Sequence, residues 1–456
     1  MASRIFKTMV ASAVTCAALM GTTGIVAAET LADALISAYR SSNLLDQNRA
    51  TVRAADEDVA SAVASLRPVF QFSAGYNWVE NDGSAISRGA EAGISASMTL
   101  LDFGRNRIAI DIQKETVLAA RESLRAVEQT ILLAAIQAYS DVKSAQQQVS
   151  INQNSTRVLN EELNATRDRF DVGEVTRTDV SLAESQLAAA RASLVAAQGA
   201  LSTAREDYKA ATGHYPVNLA ALPPAPSLPK SPDAARSTAQ RNHPTIKQLQ
   251  HVVSVSELGI KAAKAAKRPE LVGSVGLDNN EGGILGRSAA LSMTQTIYSG
   301  GALDSAYRQA VANRDESRSS LLQASVEVAQ AVAEAYSAIG VYRAQISAYA
   351  EQIRAAEIAY RGVREEATLG ARTTLDVLDA EQDLLDARAA RIDTEADLQV
   401  AYYQLLSAMG LLTVDNLKLG IPTYDPAAYY NAVQNAPLTS IQGKSLDRVL
   451  KAIGNN

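Results

Sequence analysis

The chain has 456 residues, a formal net charge of −6 and one cysteine, and only 5% of its residues are aromatic. The acidic balance argues against nucleic acid as a partner, because a polyanion is repelled by a chain of like charge. A single cysteine excludes an intramolecular disulfide and a multi-thiolate metal site, and the three histidines lack metal-ligand spacing. The sequence contains no nucleophile–base arrangement and no phosphate-binding loop, so we expect no enzyme, no cofactor and no metal.

The first 28 residues have the pattern of a secretory signal peptide. Two basic residues precede an apolar run over 9–20, and Val26-Ala27-Ala28 forms a small-residue cleavage site before Glu29. A membrane anchor is the alternative, but this run is shorter than the roughly 20 residues that a spanning helix needs. A lipoprotein modified at Cys16 is a second alternative, which Thr15 disfavours because a small residue usually precedes such a cysteine.

The rest of the chain contains one plan twice, about 197 residues apart. Gly173-x-x-Thr176-x-x-Asp179 returns as Gly370-x-x-Thr373-x-x-Asp376. Solenoid repeats have periods of roughly 20–50 residues, so this longer period indicates a duplicated half-protein, an internal two-fold sequence repeat. The predicted parts are a first repeat at 29–213, a linker at 214–240, a second repeat at 241–412 and a partly disordered tail at 413–456.

Each repeat begins with a helix that ends at a proline, and an alternating segment follows. In the first repeat Phe70, Phe72, Tyr76 and Trp78 fall on one side, and small or polar residues fall on the other. This period of two is typical of a strand with one apolar face. The predicted strands run over about 69–79 and 92–101, joined by a polar loop at 81–84, and over about 270–278 and 288–298 in the second repeat.

The two strand pairs have two interpretations. Strands with an apolar face and a small, polar face are typical of a transmembrane β-barrel, whose outside contacts lipid and whose inside contacts water. Two half-buried hairpins of a soluble domain are the alternative. The recurrence of each pair between a proline and a long helix favours the barrel. The four aromatic residues would then face lipid, with Trp78 in the outer aromatic girdle.

Very long helices follow the strands. Helical sequence without internal proline covers about 104–170 and 301–367, and 67 residues correspond to about 100 Å of helix. Apolar positions recur at heptad-like spacing, as at Ile131, Ala135 and Val142, which predicts coiled-coil packing. Return helices are predicted at 174–212 and 373–409. The chain is therefore expected to be mainly α-helical.

Strand number predicts an oligomer. One chain supplies four strands, whereas the smallest transmembrane barrels have about eight. Open strand edges are not tolerated in lipid, so at least two chains must share one barrel. Two chains would make eight strands with a filled interior, and three would make twelve strands with room for a pore. The small residues of the inward face favour three chains.

Short motifs flank the strands and form the turns of both repeats. They are Arg67-Pro68 and Arg268-Pro269 before the strands, Leu101-Asp102-Phe103-Gly104 and Ile297-Tyr298-Ser299-Gly300-Gly301 after them, and the two Gly-x-x-Thr-x-x-Asp-Val turns. With these motifs the chain resembles the TolC-type outer-membrane factor family. The resemblance implies a homotrimer with a twelve-strand outer-membrane barrel on a long coiled-coil periplasmic tunnel. The linker and the tail would form an equatorial belt around it.

The same resemblance implies a function. Members of this family are the exit ducts of tripartite efflux pumps and type I secretion systems in the outer membrane of Gram-negative bacteria. We therefore expect a periplasmic adaptor (membrane fusion) protein and an inner-membrane pump as partners, and outer-membrane lipid around the barrel. A periplasmic coiled-coil adaptor or scaffold without a channel is the alternative. Such adaptors also need a lipoyl-like domain, and the sequence shows none.

The resemblance also implies roles for the residues at the two helical turns. Gly173, Thr176, Gly370 and Thr373 would form the periplasmic tip that the adaptor contacts. Asp376 and Asp379 share one helix face. In a trimer they would bring six carboxylates into the closed tip, as a cation-selective gate. Helix capping by Thr373-x-x-Asp376 is the alternative role of Asp376.

A lock between the turns is the last expectation. By resemblance, Arg372 would bond to Thr178 and Asp179 of the neighbouring turn and hold the tip shut. An exposed ion pair worth about 0–1 kcal/mol is the alternative. TolC-type locks also contain a tyrosine, and Ala367 occupies that position here. Half of the lock is therefore missing, which predicts looser or differently built closure.

Overall fold

A computed structural model describes residues 28–79, 87–280 and 285–435. Residues 1–27 of the predicted signal peptide (1–28), the loop at 81–84 and the end of the tail lie outside the described residues. The described elements are α1 (Leu31–Ser41), α2 (Asn43–Ala64), β1 (Val69–Val79), β2 (Ser87–Leu101), α3 (Arg105–Asp171), α4 (Arg177–Thr212), α5 (Pro232–Asn242), α6 (Pro244–Ala265), β3 (Glu270–Asn280), β4 (Leu285–Thr294), α7 (Ala302–Thr368), α8 (Thr374–Ala408) and α9 (Pro426–Val433).

The four strands form one antiparallel sheet in the order β1-β2-β3-β4. Its register puts like residues on one face, because Phe72 pairs with Ile94, which in turn pairs with Leu277. The alternation of the sequence therefore becomes an apolar face across β1, β2 and β3, which continues onto β4 at Leu291 and Met293, while Arg287 lies opposite Leu277. Within the described residues, β1 and β4 each have one edge that pairs with no other strand.

Four strand boundaries differ from the sequence prediction. Two of them are that β3 continues to Asn280, past the predicted 278, and that β4 begins at Leu285, before the predicted 288. β2 begins at residue 87, earlier than the predicted 92, because it continues to pair along the whole length of β1. β4 ends at Thr294, before the predicted 298. The amide of Gln295 there donates to the carbonyl of Lys267 (3.2 Å), and Gly300 and Gly301 have positive φ angles that turn the chain into α7.

Two helices of 67 residues, α3 and α7, form the long axis of the chain. At a rise of 1.5 Å per residue each is about 100 Å long. α4 packs back along α3, α8 packs back along α7, and α3 also contacts α8. α4 begins at residue 177, later than the predicted 174, because the turn extends to its N-cap, Thr176.

The linker and the tail pack on the middle of the helices. The predicted linker over 214–240 is not wholly irregular, because α5 starts at Pro232 and continues past its end. The first part of the tail is also ordered. The backbone N–H of Val414 donates to Glu128 (2.7 Å), and the guanidinium groups of Arg49 and Arg121 lie over the rings of tail tyrosines. These contacts join the tail to α2 and α3 in one apolar core.

No helix within residues 28–79, 87–280 and 285–435 combines the length and apolar character needed to cross a membrane.

Adjacent leucines on α2 test this core. Leu45 is 2% exposed and Leu44 is 45% exposed, so a leucine-to-alanine change removes packing at one position and little at the other. We expect Leu45→Ala to lower the free energy of unfolding by about 2–5 kcal/mol, because it leaves a cavity. Leu44→Ala should change it by less than about 1 kcal/mol. Denaturant unfolding of the detergent-solubilised protein measures both, and equal losses would contradict the assigned core.

Candidate functional site

The two turns that join the long helices to their return helices are built alike. Gly173 (φ +82°) ends the first long helix and Gly370 (φ +76°) ends the second, both in the left-handed region. The N–H of Gly173 donates to the carbonyl of Phe170 (2.9 Å), and that of Gly370 to Ala367 (3.1 Å). These bonds satisfy carbonyls at the helix ends, and glycine adopts this conformation without Cβ strain. The sequence repeat therefore corresponds to one repeated turn structure.

Both return helices start with a capping box. The N–H of Thr176 donates to Asp179 (2.8 Å), and the N–H of Asp179 donates back to the Thr176 hydroxyl (3.3 Å). Thr373 and Asp376 make the same two bonds at 2.9 and 3.2 Å. Each threonine and aspartate thus satisfies N–H groups that the first helical turn leaves without partners.

The capping bonds keep both aspartates charged. Hydrogen bonds from the Thr176 hydroxyl and backbone N–H lower the pKa of Asp179. The backbone N–H of Thr373, followed by its hydroxyl, lowers the pKa of Asp376. A donor that bonds to a carboxylate stabilises its ionised form. The capping role of Asp376, which the sequence left as an alternative, is therefore present and leaves a negative charge at the turn.

Asp379 lies three residues after Asp376 and is exposed. Residues three apart on a helix project to the same side, so the two carboxylates share one face of α8. Asp376 is half-buried, because its carboxylate turns back onto the cap.

Arg372 pairs within its own turn. Its Nε donates to Glu366 Oε2 (2.9 Å), and both side chains are about half exposed. The contact of Arg372 with Thr178 and Asp179 that the resemblance implied is not made within the described part of this chain. Thr178 is exposed at the start of α4, and Asp179 is occupied by its cap. A contact between the turns of two copies stays a prediction.

Ala367 is buried at the end of α7, where TolC-type locks have a tyrosine. Its carbonyl accepts the N–H of Gly370, and its methyl group offers no hydrogen-bonding group to a neighbouring turn. Closure by a tyrosine hydroxyl is therefore impossible at this position.

Two buried glutamates near the turns were missed by sequence reasoning. Glu162 of α3 and Glu381 of α8 are both less than a tenth exposed. The hydroxyl of Ser155 donates to Glu381 (3.3 Å), and Arg169 donates to Glu162 (3.2 Å). Glu381 lies three residues from both Leu378 and Leu384, a spacing that is compatible with the packed side of the helix but does not by itself indicate burial.

The sheet carries the other predicted site residues. The exposed fraction is 74% for Phe70, 69% for Phe72, 65% for Tyr76 and 57% for Trp78. They lie in line on β1, and the same face continues over Ile94 and other apolar residues of β2, β3 and β4. A contiguous apolar surface of this size needs a cover of lipid or protein.

A four-stranded sheet with an apolar outer face, placed at one end of helical hairpins about 100 Å long, is the construction of an outer-membrane channel protein. The chain belongs to the outer membrane efflux protein family, whose model matches residues 35–214 and 235–411. Family membership places it in the outer membrane of a Gram-negative bacterium and makes it a channel of the efflux and secretion type.

Individual relatives agree with this assignment. The chain is 34% identical to the outer membrane efflux protein BepC of Brucella suis, over 94% of this chain and 96% of that protein. It is 26% identical to the outer membrane protein TolC of Escherichia coli, over 88% and 86%. The Campylobacter jejuni CmeC outer membrane channel has the same fold, with a TM-score of 0.75, 16% identity and 90% coverage of both chains. The resemblance inferred from the motifs is thus confirmed.

Two glycines near the second turn test its backbone. Gly370 has a positive φ, whereas Gly362 lies inside α7, and a Cβ at either would contact nothing within 4 Å. Gly370→Ala should lower the free energy of unfolding by about 1–2 kcal/mol, because alanine is strained in the left-handed region. Gly362→Ala should raise it by about 0.5–1 kcal/mol, because alanine is the better helix former. Urea unfolding measures both, and changes of the same sign would contradict the assigned turn.

Proposed function

We propose that three copies of this chain form a passive exit duct that carries out no catalysis. Each copy supplies four strands to a twelve-strand barrel and four long helix segments to a periplasmic tunnel. The observation that carries this proposal is the four-stranded sheet, which has an apolar aromatic face and two open edges. In lipid those edges must pair, and three sheets make a barrel wide enough for a lumen.

Exposed apolar side chains on α7 favour a second copy of this chain as the partner that covers them. Leu322 and Val326 of α7 lie one turn apart on the same side of the helix, and both are largely exposed in the single chain. Val341 and Ile358 extend this exposed apolar set along α7. A helix of a coiled-coil tunnel buries such a stripe against its neighbour, so the helices of adjacent copies fit as the cover.

The secretion of this chain itself is proposed to include cleavage of the signal peptide before Glu29. Glu29 is tied into the fold: its N–H donates to Asn218 (2.7 Å), and its carboxylate accepts the hydroxyl of Tyr208. A chain cleaved at this point would retain both contacts. Amino-terminal sequencing of the outer-membrane form tests the cleavage site.

The tip is proposed to bind the partners. A periplasmic adaptor would contact the turns around Gly173, Thr176, Gly370 and Thr373, and an inner-membrane pump would supply the energy. The two turns have the same structure, so each chain presents two similar turns to a partner and a trimer presents six. The duct itself then needs only to open.

Asp376 and Asp379 are proposed to form the gate. Their shared face and the charge on Asp376 would put a ring of up to six carboxylates at one constriction of the trimer. Rings of acidic side chains favour cations, because each ion entering the constriction is attracted by several charges at once.

Single-channel conductance in planar bilayers tests duct and gate together. We expect trimers in detergent that form small, cation-selective channels. Asp376→Asn/Asp379→Asn should weaken the cation preference, because it removes the charge while the side-chain oxygen of asparagine at 376 can still accept the N–H of Thr373. Asp233→Asn is the matched control, since Asp233 is 89% exposed on α5 in the linker segment, away from the turns.

Each other outcome has a distinct meaning. Channels whose selectivity is unchanged in the double variant would keep the duct but reduce Asp376 to a helix cap. Folded protein that forms no channel would support the periplasmic scaffold instead.

A further inference from the structure

A small apolar cluster lies next to the two turns, where α3, α4 and α8 meet. Two carboxyl groups are buried beside it: Glu162 of α3 is 8% exposed and Glu381 of α8 is 9% exposed. Buried carboxyl groups are uncommon, because removal from water destabilises their ionised form unless partners compensate for it. The residues of the cluster are Leu159, Leu163, Val180, Ala183, Leu187 and Leu378.

The two glutamates have unequal partners. Glu162 accepts a charged hydrogen bond from Arg169 (3.2 Å), which compensates its burial. Glu381 accepts one long hydrogen bond from the neutral hydroxyl of Ser155 (3.3 Å). A neutral donor stabilises a carboxylate less than a charged one does. The ionised form of Glu381 is therefore less stabilised by its hydrogen-bond partner than the ionised form of Glu162.

Other charged and titratable groups face Glu381 from α3 and α7. Glu162 of α3 opposes its ionisation, and Arg364 of α7 favours it. Tyr360 of α7 is close enough for the charge of Glu381 to affect its hydroxyl. α4 presents Ala183 and Leu187 to this region, and its charged residue Glu184 is half-exposed and paired with Arg167.

The surroundings of Glu381 raise its pKa. Burial raises the pKa of Glu381 from 4.5 to about 7, with a further increase from Glu162, against the lowering effects of the Ser155 bond and Arg364. A carboxyl group whose pKa is higher in the packed helices than in water stabilises the packed state while it is protonated. That stabilisation is complete below about pH 4.5 and is lost as the pH rises through about 7.

The sequence repeat contains a natural comparison. Glu184 and Arg167 occupy the positions in the first repeat that Glu381 and Arg364 occupy in the second, at the common spacing of 197 residues. In the first repeat they form a 2.7 Å ion pair with both side chains about half exposed. In the second repeat the glutamate instead turns into the contact with α3. Of these two equivalent glutamates, Glu184 is therefore in contact with water and Glu381 is buried between helices.

We propose that Glu162 and Glu381 form a proton-responsive latch: protonated Glu381 lets α8 remain packed on α3, and ionised Glu381 beside Glu162 loosens that contact and favours opening. The latch rests on the proposed function, in which these turns are the gated tip of a duct. It adds a control of opening that depends on periplasmic proton concentration and lies outside the aspartate ring.

Channel recordings between about pH 5.5 and 8.5 test the latch. The open probability of the wild type should rise about tenfold across this range, with a midpoint near 7. Glu381→Gln should stay at the low value throughout, because glutamine is neutral at every pH and keeps the shape of glutamate. Glu162→Gln should move the midpoint to lower pH, because it removes the negative charge that opposes ionisation. Glu184→Gln, the repeat-related control, should behave as the wild type does.

Hydrogen–deuterium exchange supplies a readout that needs no channel. At about pH 8, backbone amides around residues 155–166 and 378–387 should exchange several-fold more slowly in Glu381→Gln than in the wild type. At about pH 5.5 the two proteins should match, because Glu381 is then protonated. Comparison at equal pH removes the intrinsic pH dependence of exchange.

Two outcomes would overturn the inference. If the wild type and Glu381→Gln have the same pH profile in recordings and the same exchange at each pH, Glu381 does not control the contact. If the wild type forms no channels although the exchange difference is present, the duct is wrong and the latch has no gating role. The two failures are distinguishable because exchange reports on helix packing alone.

Discussion

Unpaired backbone at the edges of the sheet is the constraint on which the rest of this structure depends. β1 and β4 each have an edge without a partner strand in the described chain, and their outer face is apolar. In lipid each unpaired N–H or C=O costs several kcal/mol, so the sheet is stable there only when other copies complete it. Because the long helices are attached directly to the strands, closure of the proposed barrel would also set where the helices of each copy meet.

Duplication supplies the second organising feature. One hairpin of helices appears twice, with the same glycine turn and the same threonine–aspartate cap. The copies differ in the burial and partners of equivalent glutamates. The first repeat keeps Glu184 half-exposed in an ion pair, whereas the second buries Glu381 against α3. Under the proposed latch, similar turns with different burial would allow one repeat to act as scaffold while the other responds to its surroundings.

The sequence predicted the parts of this fold that depend on local patterns. Alternation at Phe70–Trp78 predicts the apolar face, and proline-free helical sequence predicts both 67-residue helices, because these signals need no knowledge of neighbours. The pairing of Arg372 with Glu366 and the burial of Glu381 could not be predicted. The first depends on the conformation of the turn that joins α7 to α8, and the second depends on which face of α8 meets α3, a tertiary property that residue spacing does not determine. Ser155 and Glu381, for example, are 226 residues apart.

The acids near the second turn differ in how they respond to protons, and that difference separates two properties of a gate. Hydrogen bonds from Thr373 lower the pKa of Asp376, so its charge persists at acidic pH. Burial raises the pKa of Glu381 to about 7, so its charge changes near neutrality. Under the proposed arrangement, cation preference and opening therefore have separate pH dependences. A fall in periplasmic pH would then close the tip before it discharged Asp376, because Glu381 takes up its proton first.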